Sequence, residues 1–196
     1  MKGPINILLC TLCSFSVLYG QNDFSTRLAD AAVELTNHAV SYDPGSYSIS
    51  YPNGDVPPDR GVCTDVVIRA YRKMGIDLQK EVHEDMVANF DKDPKLWGLS
   101  RPDTNIDHRR VPNLMRFFAR YGSEKPVSLR AEDYAPGEIV FWNLGGGVVH
   151  VGIVSGKRSA DGGRYLIVHN IGGGQVLEDC LFRYEITGHY IYPVLF

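Results

Sequence analysis

The feature of the sequence that most constrains its fold is a change of character along the chain. The second half contains short runs rich in Val, Ile and aromatic residues, GEIVFWNL, VVHVGIVS and RYLIVHNI, and Gly-rich turns separate them. Two further runs, CLFRYEI and HYIYPVLF, follow. The first half instead has apolar residues at helical spacing. Because helices come first and strands second, the sequence predicts an α+β fold with N-terminal helices packed on an antiparallel sheet of about five strands.

Four segments of the first half have the pattern of helices. Apolar residues recur on one side of residues 24–40, which predicts a first helix. A second helix is predicted over residues 63–75, where a glycine provides the stop. A third covers residues 79–90, and a proline suits the first turn of a fourth over residues 112–121. Residues 41–59, rich in Pro, Gly and Tyr, predict an irregular loop.

The N-terminus has the layout of a secretory signal peptide. A basic residue precedes an apolar run over residues 5–18, and a polar segment follows. We therefore predict export, with residues 1–20 as the signal peptide and residues 21–196 as a single domain. A retained membrane anchor is an alternative, although the run is short and interrupted by polar residues. A lipid anchor on Cys10 or Cys13 is another, although bulky leucines precede both cysteines.

Charge and cysteine content exclude several classes of function. The formal net charge is −3 and no basic run stands out, so neither nucleic acid nor an anionic membrane surface is a predicted partner. No membrane span is predicted once the signal peptide is removed. Only Cys63 and Cys180 then remain, which is not the composition of a disulfide-rich scaffold. Burial of a core must stabilise the fold.

Cys63 stands where the second helix is predicted to begin. A helix N-terminus lowers the pKa of a thiol through its partial positive charge and free N–H groups. The same groups can stabilise a tetrahedral oxyanion. A cysteine nucleophile also needs a base, usually histidine, and a third group that orients this histidine.

His150 and His169 are candidates for these two roles. They lie on consecutive predicted strands joined by residues 156–163. If Ser155 lies opposite Arg164 in a regular hairpin, the two histidines face each other directly on one side of the sheet. One imidazole could then orient the other.

Three other interpretations of these residues remain open. A small buried cysteine such as Cys63 is more often part of a core than a catalyst. In an oxidising compartment Cys63 and Cys180 could instead form a disulfide bond. Cys63, His150 and His169 could bind zinc, although no two of these three residues stand at the close spacing of typical zinc ligands.

The order of several motifs resembles a known superfamily. CTDVVIRAYRKMGIDL, PGEIVFWNL, HVGIVSG and YLIVHN follow one another as in the NlpC/p60 superfamily of papain-like cysteine peptidases. There a cysteine opens a helix, and strands follow that carry the histidines. A fuller series, YPNGDVP, GVCTDVVIRAYR, VHEDM, NIDHRRVPNL and GHYIY, resembles a bacterial envelope family known only as a domain of unknown function, number 1287.

The resemblance implies a papain-like fold and assigns roles to residues. It implies Cys63 as the nucleophile, His150 as the base and His169 as the orienting residue, with Asn170 as the alternative for this third role. A tyrosine about a dozen residues before the cysteine lines the site in that superfamily, which implies Tyr51 here.

Further candidates for substrate binding are Asp65, Arg109 and Arg110. Asp65 stands where the superfamily has glycine, so we expect the substrate preference to differ there. The two arginines follow an Asp–His pair and could clamp a substrate carboxylate through bidentate hydrogen bonds. A structural ion-pair network is the alternative.

The sequence therefore predicts an exported thiol hydrolase, an amidase or peptidase, that needs no cofactor and no metal. The resemblance implies a substrate from cell-wall peptides and a location in the periplasm or cell envelope of a bacterium. An acyltransferase or thioesterase with the same Cys–His pair is one alternative. A wall-binding module with an idle site is another.

Overall fold

The structure is a computed structural model that describes residues 8–93 and 96–195, with side chains from residue 20 onward. Residues 1–7 of the predicted signal peptide therefore lie outside the described residues, and only the backbone is described for residues 8–19. None of the helices in the described ranges combines the length and the apolar character that a membrane span needs.

The fold is α+β, and the four predicted helices are present. Their bounds are Leu8–Leu35 (α1), Cys63–Lys73 (α2), Leu78–Asn89 (α3) and Val111–Tyr121 (α4). The first begins at Leu8 instead of residue 24 and ends at Leu35 instead of residue 40. It ends there because the next three amides bond to carbonyls only three residues back and the chain turns away. The second ends as predicted: Gly75, with φ of 81°, and Ile76 donate backward to carbonyls of the last turn.

Two short strands, β1 (Ser41–Tyr42) and β2 (Arg60–Gly61), form a separate parallel pair. The six other strands are Ser123–Glu124 (β3), Ile139–Asn143 (β4), Val149–Arg158 (β5), Tyr165–His169 (β6), Val176–Glu178 (β7) and Glu185–Ile191 (β8). They form one antiparallel sheet in the order β3-β8-β4-β5-β6-β7. The predicted final pair of strands is wrong: the chain turns over residues 181–184 and a single strand, β8, follows.

The sheet separates two apolar clusters, because alternate residues of a strand point to opposite faces. Helices α1, α2 and α4 cover one face, where Phe141, Val151 and Val168 join the larger core. On the other face Trp142 and Ile167 belong to a smaller cluster. By the same alternation, the side chains of His150 on β5 and His169 on β6 extend from this second face.

The register between β5 and β6 differs from the predicted one by two residues. Ile153 lies opposite Val168, because β5 contains an irregularity and runs on to Arg158. If this register continues by one residue, Gly152 lies opposite His169. His150 is then the diagonal neighbour of His169. A shift of two residues leaves every side chain on its face, so the two histidines still share one side of the sheet.

Gly152 is required where it stands. A Cβ atom there would lie 2.7 Å from Cγ2 of Ile167, 3.0 Å from the carbonyl oxygen of Val168 and 3.2 Å from Cβ of His169. We expect Gly152→Ala to lower the free energy of unfolding by about 1–3 kcal/mol, measured by urea denaturation, because buried neighbours must move. Gly156→Ala on the same strand is the matched control, since its Cβ would have nothing within 4 Å. Equal effects of the two substitutions would contradict this account.

Candidate active site

Cys63 is buried at the first position of α2. The residue before it, Val62, has no polar side chain, so Asp65 caps the helix by accepting a 2.7 Å hydrogen bond from the N–H of Val62. The backbone amides of Val151, Thr64 and Cys63 itself act to lower the pKa of this thiol. The thiol therefore lies between the first turn of α2 and the backbone of β5.

Asp65 and Arg109 form a buried ion pair with two contacts. Arg109 Nε and Nη2 donate to the two carboxylate oxygens of Asp65 at 3.0 and 3.1 Å. The same guanidinium donates to the carbonyl oxygens of Gly45 at 2.9 Å and Asp43 at 3.3 Å. The Thr64 hydroxyl donates to the carbonyl oxygen of Arg109 at 3.1 Å. Two residues assigned to substrate binding from the sequence thus bind each other and fix the start of α2.

A small cavity of about 180 Å³ opens beside Cys63. Its lining comes from the loop after β1, the start of α2, the segment before α4 and the start of β5: Tyr42, Pro44, Val62, Cys63, Ile106, Arg109, Val111 and Val149. Tyr42 lies here, whereas the predicted Tyr51 packs edge-on against the ring of His83, 5.2 Å between centroids. Two larger clefts, of about 430 and 650 Å³, do not include Cys63.

His150, His169 and Glu178 form a chain of hydrogen bonds, which we call the relay. His150 Nε2 lies 2.9 Å from His169 Nδ1, and His169 Nε2 lies 3.0 Å from Glu178 Oε2. Both imidazoles are buried, and Glu178 is partly exposed. Arg183 pairs with the other carboxylate oxygen of Glu178.

The carboxylate at the end of the relay sets the tautomer of both histidines. Burial acts to raise the pKa of Glu178, but Arg183 and His169 hold it below its ordinary value, so the group is ionised and can only accept. His169 therefore donates from Nε2, and its Nδ1 accepts from His150 Nε2. This leaves His150 Nδ1 as an unprotonated base.

Within the described part of the chain, Cys63 and His150 do not hydrogen bond to each other. Cys63 belongs to the core on the helical side of the sheet, whereas His150 and His169 extend from the opposite face. The two sides meet at the start of β5, where Val149 lines the cavity beside Cys63 and the Val151 amide acts to lower the pKa of the thiol.

Both members of the predicted pair are uncharged at rest. Burial raises the pKa of Cys63 to about 12, although the backbone amides oppose this change. Burial, followed by the neighbouring His169, lowers the pKa of His150 to about 3. The lowered thiol pKa expected from the helix N-terminus is therefore absent, because the cost of desolvation exceeds the effect of the helix.

Arg110 lies apart from Arg109, in a neighbouring groove of about 390 Å³ that shares Ile106 with the Cys63 cavity. Its guanidinium carbon lies 4.1 Å from the centroid of the Trp97 ring. Among the described residues no carboxylate pairs with it, so this guanidinium remains available to an anionic group.

Cys180 and Asn170 bear on two of the alternatives. Cys63 and Cys180 are both free, so the disulfide bond is not formed. Asn170 donates to the carbonyl oxygen of Gly61 at 3.1 Å, and the residue that contacts the His150 ring is His169.

Glu178 and Tyr42 are the site residues that the sequence interpretation does not contain. Glu178 lies on a strand of only three residues, which shows no alternation of its own. Tyr42 lies in the Tyr-rich segment recognised as a loop, and only its pairing through β1 and β2 brings it to the cavity.

Comparison with known proteins identifies the family. The model described as "Domain of unknown function (DUF1287)" matches residues 29–192. The chain is also 48% identical over 179 residues to "Uncharacterized protein YijF" of Escherichia coli (strain K12), which covers 91% of this chain and 87% of that protein. The chain belongs to the DUF1287 family, which confirms the second resemblance; the kinship with NlpC/p60 stays a prediction.

The buried ion pair gives a stability prediction. We expect Asp65→Asn to lower the free energy of unfolding by about 3–5 kcal/mol, because Arg109 would keep its charge in a buried place without a counter-charge. Urea denaturation measures the change. Glu132→Gln, which breaks a fully exposed pair with Arg130, is the control and should leave the midpoint almost unchanged.

A double substitution tests whether the two charges depend on each other. Asp65→Asn with Arg109→Met leaves neither charge unpaired, so its loss should be clearly smaller than the sum of the two single losses. Additive losses would show that the two side chains stabilise the protein independently.

His108, a buried residue next to Arg109 in the chain, gives one contribution to the pH dependence of stability. Burial, followed by the charge of Arg109, lowers the pKa of His108 to about 3. Between about pH 6.5 and pH 3 the unfolded chain binds a proton that the folded chain does not, so stability falls as pH falls through this window. The slope from one such group is up to about 1.4 kcal/mol per pH unit.

We therefore expect His108→Gln to reduce the loss of stability between pH 7 and pH 5, as measured by urea denaturation at each pH. His38→Gln, at an exposed histidine, is the control. An unchanged pH slope in His108→Gln would contradict the assignment.

Proposed function

We propose that this member of the DUF1287 family is a thiol hydrolase that cleaves an amide bond with Cys63 as nucleophile. The observation that carries the proposal is the relay, which ends in an unprotonated His150 nitrogen on the strand that contacts Cys63. Nucleophilic catalysis by a cysteine at a helix N-terminus needs a base that a second group orients, and the relay provides such a base.

The proposed reaction starts from the neutral pair. As Cys63 Sγ bonds to the substrate carbonyl carbon, the thiol proton passes to His150 Nδ1, and the amides of Cys63 and Thr64 are available to the oxyanion. The imidazolium then gives its proton to the leaving amine, and a thioester remains. Water attacks the thioester with His150 again as base, which releases the acid and restores the thiol. Because the two side chains extend from opposite faces of the sheet, the scheme requires His150 Nδ1 to reach Cys63 Sγ past the start of β5 when substrate binds.

Glu178 acts in this scheme as a positioning residue. Its carboxylate keeps the proton of His169 on Nε2 and so keeps His150 Nδ1 free. It also stabilises the positive charge that the histidine pair carries during the reaction.

The shape of the site favours a peptide substrate. The cavity beside Cys63 is smaller than the pockets that enclose drug-sized ligands, so it suits a small group near the scissile bond and has no room for a long acyl chain. The adjoining groove carries Arg110, which can bind a carboxylate.

We further propose a papain-like arrangement of the NlpC/p60 type and, from that resemblance, a substrate among bacterial cell-wall peptides, cut at a bond that involves a D-amino acid. An exported protein in the periplasm or cell envelope would meet this substrate. The order of the motifs quoted above supports this part of the proposal.

The test is digestion of purified cell-wall fragments, with products identified by mass spectrometry. We expect the protein to release new amine and carboxyl ends, and Cys63→Ala and His150→Ala to release none. His38→Ala, at an exposed histidine outside the Cys63 cavity, should retain activity. Glu178→Gln should reduce the rate by about 10²-fold and alter its pH profile.

Identical products from the protein and from Cys63→Ala would contradict hydrolysis of this substrate. A small thiol probe separates this outcome from an idle site: modification of Cys63 that depends on His150 indicates a working pair. Equal modification with and without His150 would favour the wall-binding alternative.

A further inference from the structure

We infer that His169, Glu178 and Cys180 form a binding site for one transition-metal ion of the Zn²⁺ class, and that the bound ion switches the relay off. The second part rests on the proposed function, whereas the first does not. One ligand atom from each of the three residues lies within 4.8 Å of the other two.

The distances match those of a zinc centre. Zn–N bonds of about 2.0–2.1 Å and Zn–S bonds of about 2.3 Å, in a tetrahedron, place nitrogen and sulfur about 3.6 Å apart. Cys180 Sγ lies 3.6 Å from His169 Nε2, and Glu178 Oε2 lies 3.0 Å from the same nitrogen. Two of the three separations thus suit a tetrahedron, the third is at most 4.8 Å, and water can provide the fourth ligand.

The fold holds this group on a short stretch of chain. His169 ends β6 and Glu178 ends β7, and Glu178 lies opposite Ile167, so the two ligands share one face of the hairpin. Cys180 follows two residues later and is buried. Because the Glu178 side chain is about one third exposed, an ion can enter from that side.

Of the arginines that the structure describes, none pairs with Glu178 Oε2, the carboxylate oxygen that faces His169. Arg183 pairs with Glu178 Oε1, which leaves Oε2 toward His169. Arg164 is held by two hydrogen bonds to Asp179 and does not compete for Glu178. Histidine, carboxylate and thiolate together suit Zn²⁺ better than the oxygen-seeking Mg²⁺ or Ca²⁺.

This site differs from the zinc site considered from the sequence. That alternative combined Cys63, His150 and His169. In the described residues the thiol near His169 is that of Cys180, and Cys63 lies on the other side of the sheet.

Metal binding would reverse the tautomers of the relay. The ion takes the lone pair of His169 Nε2, so His169 must carry its proton on Nδ1 and donate it to His150 Nε2. His150 then carries its own proton on Nδ1, the nitrogen that would accept the thiol proton of Cys63. Each imidazole keeps one proton, and the Cys180 thiol releases its proton to solvent as the thiolate binds the ion.

The binding test uses CoCl₂ as a spectroscopic probe, followed by ZnCl₂. We expect one equivalent of Co²⁺ to produce a thiolate-to-cobalt charge-transfer band, and Zn²⁺ to abolish the band by displacement. Cys180→Ala should lose the band, and it should bind Zn²⁺ about tenfold more weakly or worse in calorimetry. Glu178→Gln should also weaken binding, and circular dichroism confirms that each variant folds.

Cys63→Ala is the matched control, because it removes the second buried thiol among the side chains that the structure describes and should keep the band. A band lost in Cys63→Ala and retained in Cys180→Ala would overturn the site, and so would the absence of a band at equimolar Co²⁺.

The switch is tested in two further ways. Nitrogen-15 NMR should show His150 Nδ1 changing from bare to protonated when Zn²⁺ binds, and an unchanged Nδ1 signal would overturn the switch. Zn²⁺ should inhibit hydrolysis by the protein and not by Cys180→Ala, and equal inhibition of both would also overturn it. If no hydrolysis occurs at all, the proposed function fails, while the cobalt and NMR results still decide this inference.

Discussion

The buried ion pair between Asp65 and Arg109 is the interaction on which the rest of the site depends. It joins the start of α2 to the backbone of the loop that follows β1 and to the turn before α4. Desolvation of two charges is costly, and here a two-point contact and three further hydrogen bonds offset the cost. The position of Cys63, of the cavity beside it and of Tyr42 follows from this anchor.

The sheet divides the site between its two faces. The thiol lies with the helices, and the relay lies on the opposite face beside the smaller apolar cluster. The thiol and the relay come nearest to each other at the start of β5. The backbone there therefore positions the site as much as the side chains do. Gly152 lets the two strands approach here, since a side chain at this position would clash with Ile167 and crowd Val168 and His169.

Sequence patterns predict the parts of this structure that depend on periodicity. Helical spacing gives α2 and α4, and the choice of Cys63, His150 and His169 follows from their places at element ends. The register between β5 and β6 cannot be predicted from the sequence, because a shift by an even number of residues leaves the same hydrophobic pattern on each face. Glu178 cannot be predicted either, because a strand of three residues has no periodic pattern. The position of Tyr42 at the cavity depends on the long-range pairing of two strands of two residues each. The raised thiol pKa depends on burial, which spacing alone does not quantify.

The relay ends on the edge of the sheet. Strand β7 has three residues, pairs only with β6 and is the last strand in the order, so it is held by fewer contacts than the strands that carry the histidines. Edge segments of this kind open locally at a lower free-energy cost than the whole domain. Fraying of β7 detaches the carboxylate while the core stays folded, so the relay has a lower thermal limit than the fold that supports it.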